Sequence, residues 1–258
     1  MKNIEYTAQN HIAVITLNRP HALNSLDYEM LTELGQIVEK LHTDTSIRAV
    51  IFTGAGDRAF CAGADLKERK DLSEAGVRRN VKKILEVLQS VAELPQPTVA
   101  AVNGAAFGGG FELLLACDFS FAADTAVMGL TEVSWGIIPG AGGTQRLPRL
   151  IGEMRAKELI LTARKITARE AFQLGILTGV VPAEEVFAAA RKLAAEILHN
   201  APLAVRSAKH AISAGMGTDL KTGLAIEAEA YERIIPTRDR TEALHAFVEK
   251  RKPVFTGE

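Results

Sequence analysis

The stretch GAAFGGGFELLLACD, Gly104 to Asp118, constrains the fold more than any other. Three consecutive glycines follow an apolar β-branched segment, TVAAVNG (98–104), and a single carboxylate, Glu112, stands inside an apolar run. Glycine is a poor residue for the interior of a strand or helix. An unpaired carboxylate is costly to bury. A strand end that abuts a helix start accommodates both. The glycines then serve either a tight backbone crossing or a ligand that must touch the main chain, and the segment alone does not choose between them.

The rest of the chain has the pattern that such a crossing needs. HIAVITL (11–17) and RAVIFTG (48–54) are short apolar segments that end in turns. Ser25 to His42 carries Leu26, Met30, Leu34, Ile37, Val38 and Leu41 at helical spacing. AFCAGADLKERKD (59–71) reads as a loop entering a helix that continues to about Leu94, where Pro95 and Pro97 stop it. A helix is expected from about Gly109 to Ala116, then strands at DFSFAA (118–123) and AVMGL (126–130). Thr131 to Gly143 is expected to be a loop. After about Gln145 the chain reads as helical apart from GVV (179–181), with a break at Asn200-Ala201-Pro202. Short buried strands alternating with helices predict an α/β fold with parallel pairing, covered on both sides. With 47% hydrophobic residues, the 258-residue chain can bury a sizeable core.

Several function classes are excluded. The glycines are not followed by the Lys-Ser/Thr of a phosphate-binding loop, and Leu113 stands where a dinucleotide fingerprint needs its third glycine. No nucleophile elbow or zinc-protease helix motif is present. Histidines 11, 21, 42, 199, 210 and 245 form no metal-ligand spacing, so no metal is expected. Cys61 and Cys117 read as reduced core residues of a reducing compartment. Thirty basic against 31 acidic residues give no global pull towards nucleic acid or a membrane surface. Arg69, Lys70, Arg78, Arg79, Lys82 and Lys83 alternate with Glu68, Asp71, Glu74 and Glu86, the look of a solvated helix face without stacking aromatics. The N-terminus shows no signal or transit character, and no apolar run approaches the ~20 residues of a membrane span. The expected location is cytoplasmic.

A helix N-terminus offers free backbone N–H groups and the positive end of the helix dipole. Glycine there lets a ligand atom reach the backbone. With no cation in the segment, the natural guest is a developing oxyanion rather than a phosphate. CAGAD (61–65) has the same character, and one amide from each loop is what an oxyanion hole requires. Glu112 lies among Phe111, Leu113, Leu114 and Leu115. Glu132 lies in GLTEVSWGIIPG, before a glycine-rich turn. Two semi-buried carboxylates can share a water and divide acid and base roles. Spacing alone does not bring them together, and each feature also has an ordinary structural reading.

NGAAFGGGFELLLACD, MGLTEVSWGIIPGAGGTQRLPRLIG, FCAGADLKE and LNRPHALNSL resemble the enoyl-CoA hydratase/isomerase (crotonase) superfamily over essentially the whole chain. The resemblance implies a spiral of ββα turns with two sheets over residues 1–195, which holds the active site. A helical oligomerisation and lid region follows over 196–258. It implies oxyanion-hole amides at Ala64 and Gly109. Glu112 and Glu132 correspond to the paired glutamates of true hydratases. It further implies coenzyme A contacts at His21, Ala22, Ala62, Ala64, Asp65, Leu66 and Gly108. Phe247 and Lys250 would reach the coenzyme A of a neighbouring protomer in a homotrimer or a hexameric dimer of trimers.

The implied reaction is syn addition of water to a short or branched 2-enoyl-CoA, giving a 3-hydroxyacyl-CoA. No cofactor is implied, because coenzyme A is part of the substrate. LPRLIG, AKELILTAR and KTGLAIEAEAYERIIPTRDR look closest to the branch that hydrates 3-methylglutaconyl-CoA and binds AU-rich RNA. The first helix, LDYEMLTELGQIVEK, has Lys40 alone against four acids, so nucleic acid is not an expected partner. Methylglutaconyl-CoA hydration, another CoA-thioester isomerisation or lyase reaction, and RNA binding as a secondary activity stand as alternatives.

Overall fold

The computed structural model describes residues 3–258. The chain opens with a hairpin of β1 (Ile4–Gln9) and β2 (Ile12–Leu17). Asn10 and His11 turn it with φ of 50° and 64°, the left-handed pair that a two-residue hairpin needs. Helix α1 (Tyr28–Thr43) starts later than the spacing suggests, because the Asp27 side chain caps it by accepting from Met30 N at 2.8 Å.

A strand–strand–helix unit then recurs. It runs β3 (Ala49–Gly54), β4 (Ala59–Cys61), α2 (Leu66–Lys70) and α3 (Glu74–Ala92), then β5 (Thr98–Val102), β6 (Ala105–Phe107) and α4 (Gly109–Ala116). It comes a third time as β7 (Phe119–Ala123), β8 (Val127–Gly129) and, after a loop, α5 (Gly143–Ile151). The first strand of each unit joins one sheet and the second joins another. The larger sheet runs β1-β2-β3-β5-β7 and ends with β10 (Gly179–Val181). The smaller runs β4-β6-β8 and ends with β9 (Ile166–Thr167). Pairing is parallel except at the hairpin and between β8 and β9. This is the ββα spiral that the resemblance implies.

All five residues of β5 are buried, as a central parallel strand covered on both faces requires. Helix α6 (Glu153–Leu161) and α7 (Ala168–Gln173) precede β10, and α8 (Val186–Leu198) then lies across β3, β5 and β7. Helix α9 begins with Pro202 in its first turn and runs to Gly215. It pairs with α10 (Leu220–Glu232), and α11 (Arg238–Val248) follows. Among the described residues no helix is long and apolar enough to cross a membrane. Cys61 and Cys117 are free thiols. Burial pushes Cys61 up to about 12 and raises Cys117 as well, which keeps both protonated.

The single helix expected from the 59–71 region to Leu94 is two helices. Asp65 caps α2 by accepting from Lys67 N and Glu68 N, and Ser73 caps α3 by accepting from Gly76 N. Residues 71–73 form the break between them. Strands β1, β4, β6 and β9 are additions to the sequence reading. Glu132 to Trp135 is a 3-10 turn inside the expected loop.

Candidate active site

Two loops meet where β4 and β6 end. Leu26 N donates to Gly63 O at 2.8 Å and Asp65 N donates to Leu26 O at 3.0 Å. In that parallel bridge the amide of Ala64, between the two bonds, points away from Leu26. Gly109 is the first residue of α4, so its N–H has no acceptor within the helix. Among the described residues neither N–H donates to a protein group.

Gly63 closes the gap. It sits at φ +90°, and a Cβ there would lie 2.7 Å from Phe107 O and 3.2 Å from Gly109 N. Gly108 has φ +50°, and a Cβ on it would stand 3.2 Å from Glu132 Oε1. Gly110 serves packing instead, since a Cβ there would run into the Cys61 carbonyl. The glycine triplet therefore serves the tight crossing at Gly110 and leaves the Gly109 amide open.

A cleft of about 540 Å³ opens over this junction. Ala62, Ala64, Leu66, Gly108, Gly109, Glu112 and Glu132 all line it. Glu112 is 2% exposed, and its Oε1 accepts from Ala141 N and Gly143 N, both at 2.8 Å. Burial raises its pKa, while the Gly143 and Ala141 amides and the charges of Arg146 and Arg69 pull it back. Glu132 has less support, its own backbone N–H and the charge of Arg69. Its Oε2 is buried with no hydrogen-bond partner among the described residues. Burial, with the nearby charge of Glu112, pushes it up to about 7. The pair is thus unequal. Glu112 is the easier to ionise, and Glu132 the one that holds a proton near neutrality.

This inequality has a stability consequence. Unfolded Glu132 titrates near its ordinary 4.5, so folding favours its neutral form. Its burial costs nothing below pH 4.5 and the full desolvation of a charge above about 7. Glu132→Gln removes that cost. Thermal melts should show the variant more stable than the parent at pH 8, by about 2 kcal/mol. The two should nearly coincide at pH 4.5. A gap that is constant with pH would contradict the assignment.

Other residues singled out from the sequence fall in different places. Asp65 is buried, and its carboxylate is committed to Arg19 at 2.9 Å and to the α2 cap. Burial opposes its ionisation, but the Arg19 guanidinium and the two amides hold it below the usual carboxylate range. Its side chain is therefore engaged within the protein, which leaves its backbone for any coenzyme A contact. His21 and Ala22 lie on a 3-10 turn beside the cleft, where Ala62 N donates to Leu23 O at 3.0 Å. Phe247 and Lys250 lie at the end of α11 and just beyond it, outside the lining of this chain's own cleft, with Phe247 82% exposed.

Arg69 corrects the sequence reading. The sequence places it in a solvated charge stripe, yet it lines the cleft. Leu66, at i−3 on the same short helix, also lines the cleft and was the available signal. Among the described residues no group of three His, Cys, Asp or Glu could hold a metal.

Two free amides beside two unequal carboxylates, at the edge of an α/β spiral, define a site for acid–base chemistry next to a carbonyl that gains negative charge. The enoyl-CoA hydratase/isomerase family profile matches residues 7–258. The crystal structure of an enoyl-CoA hydratase from Bacillus anthracis superposes with a TM-score of 0.97 at 52% identity, covering 99% of this chain and 100% of that one. Human mitochondrial methylglutaconyl-CoA hydratase is 48% identical over 251 residues, 96% of this chain and 74% of the relative. The short-chain-enoyl-CoA hydratase of Clostridium acetobutylicum is 42% identical over 252 residues, 98% and 97% of the two chains. The chain belongs to the enoyl-CoA hydratase/isomerase family.

Proposed function

We propose that this protein is a hydro-lyase that adds water to a short or branched 2-enoyl-CoA. The observation that carries the reading is the unequal glutamate pair, Glu112 and Glu132, facing the free amides of Ala64 and Gly109 across one cleft. The thioester oxygen accepts from both amides, which favour the enolate-like transition state. Ionised Glu112 takes a proton from water as the water oxygen bonds to C3. The C2–C3 π electrons shift towards the thioester, and neutral Glu132 delivers its proton to C2. Both groups work from one side of the substrate, so addition is syn. One water is consumed, and a proton passing from Glu112 to Glu132 restores the pair. The couple titrates as a unit.

Coenzyme A enters as part of the substrate, and no further cofactor is required. Its contacts are assigned to the loops at His21-Ala22 and Ala62-Leu66 and to Gly108, which border the cleft. Phe247 and Lys250 would complete the site of a neighbouring protomer in a homotrimer or dimer of trimers. The exposure of Phe247, with that of Met216 and Leu220, supports such an assembly.

The test follows the loss of enoyl-thioester absorbance with crotonyl-CoA, then with 3-methylcrotonyl-CoA and 3-methylglutaconyl-CoA. Inactivity on all three would sink the hydratase reading. The pH profile is a further prediction. Hydration should fall as pH rises past about 7 and Glu132 loses its proton. It should fall again in acid as Glu112 gains one. A rate that is flat from pH 7 to 9 would remove Glu132 from the acid role.

A further inference from the structure

The walls of the cleft are mostly apolar: Val77, Val81 and Ile84 from α3 face Trp135 and Ile138 from the loop after β8. Arg69 is the sole cation among the described residues that line it. It is half-buried, and its guanidinium makes no ion pair and no hydrogen bond among the described residues.

Of the acids around it, Glu132 shares the cleft but forms no ion pair with it among the described residues, and the others are engaged elsewhere. Asp65 pairs with Arg19 at 2.9 Å. Glu68 accepts from Tyr28 N at 3.2 Å and from Asn80 Nδ2 at 2.9 Å. Glu112 holds the Ala141 and Gly143 amides. A half-buried guanidinium with no protein partner is available to an anion that enters the cleft.

Two parts of an acyl-CoA could supply that anion. The phosphates of coenzyme A are separated from the thioester by the whole pantetheine arm. Arg69, in contrast, lines the cleft together with Ala64, Glu112 and Glu132, and those two carboxylates work at C3 and C2. Arg69 therefore belongs to the acyl end of the cleft, where a neutral chain would leave it unpaired. A carboxylate is planar and accepts both arms of a guanidinium, a match that a lysine cannot make.

We propose that Arg69 selects 2-enoyl-CoA substrates whose short acyl chain ends in a carboxylate, by pairing with that carboxylate at the acyl end of the cleft. The assignment rests on the hydratase reading above and narrows its substrate class.

The experiment compares kcat/KM for glutaconyl-CoA, which carries the carboxylate, with that for crotonyl-CoA, which does not, in the parent enzyme, Arg69→Met and Arg69→Lys. The readout is the ratio of the two values, because losing the Arg69 charge also shifts the glutamates and lowers both reactions. The parent should favour glutaconyl-CoA. Arg69→Met should reduce the ratio about 10- to 100-fold, the value of a charge-assisted pair, and Arg69→Lys should recover part of it. If both substrates fall together and the ratio holds, Arg69 serves only the glutamates and the proposal is overturned. A parent that hydrates crotonyl-CoA in preference to glutaconyl-CoA also overturns it, while the hydratase reading stands. A parent that hydrates neither of these, nor 3-methylcrotonyl-CoA nor 3-methylglutaconyl-CoA, removes both.

Discussion

Replacing Glu112 with glutamine is expected to lower kcat for enoyl-CoA hydration at least ~10²-fold while leaving the fold in place. The glutamine carbonyl can accept from Ala141 N and Gly143 N as Glu112 Oε1 does, at 2.8 Å each, so the loop before α5 keeps its anchor. The amide cannot take a proton from water. The loss should therefore appear in kcat, with KM moving little, since binding rests on backbone groups that the change does not touch. Glu132→Gln should cost a comparable factor by removing the proton bound for C2. The double variant should be little worse than either single one, because the two groups act on the same water and substrate. Steady-state kinetics on all three proteins, with melting curves beside them, check this. A Glu112→Gln enzyme that keeps more than a tenth of the parent rate, with an intact melt, would take the base role from Glu112.

The parts of the fold legible in the sequence are those where one physical signal dominates. Strands β3 and β5 are near-continuous apolar runs closed by turns, and the structure buries them from both sides. Helix α4 is legible to the residue, because Gly109 and Cys117 bracket an apolar stretch that only a buried helix accommodates. Strand β1 is not legible. Five of its six residues are exposed or polar-facing, and its existence depends on pairing all six with β2 around a left-handed turn. Strands β4, β6 and β9 have three residues or fewer, too short for any period to register.

The break at 71–73 was hidden because helical spacing continues on both sides of it. Only the caps at Asp65 and Ser73 mark two starts. That break also explains Arg69. The charge stripe on α3 is a genuine solvated face, with Arg78 paired to Glu74 at 2.8 Å and Lys82 to Glu86 at 3.6 Å. Arg69 lies before the break, on α2, and the change of direction turns it to the cleft. The meeting of Glu112 with Glu132 was equally out of reach of spacing. Strands β7 and β8 lie between them, and the two carboxylates approach only because those strands belong to different sheets.

Gly63→Ala should damage both the stability of the fold and the rate. An alanine at φ +90° is strained by about 1–2 kcal/mol before any contact is counted. Its Cβ would then meet Phe107 O at 2.7 Å and Gly109 N at 3.2 Å. These are backbone atoms of β6 and α4, which cannot swing aside as a flexible side chain can, so overpacking adds about 1–3 kcal/mol. In a chain of this length, about 3 kcal/mol lowers Tm by roughly 6–12 °C. Relief by separating the two loops would move the Ala64 amide away from the Gly109 amide, and a shift near 1 Å at such groups costs about 10²-fold in rate.

Gly140→Ala is the matched control in the same cleft. A Cβ there meets only the Val81 side chain at 3.5 Å and the Ile138 carbonyl at 4.0 Å, both ordinary contacts, so its melt should stay within a few degrees of the parent. Melting curves and crotonyl-CoA turnover on both variants decide the matter. A Gly63→Ala protein with parental Tm and parental rate would mean that the two loops are not held in register by the missing side chain, and that the geometry of the amide pair has another origin.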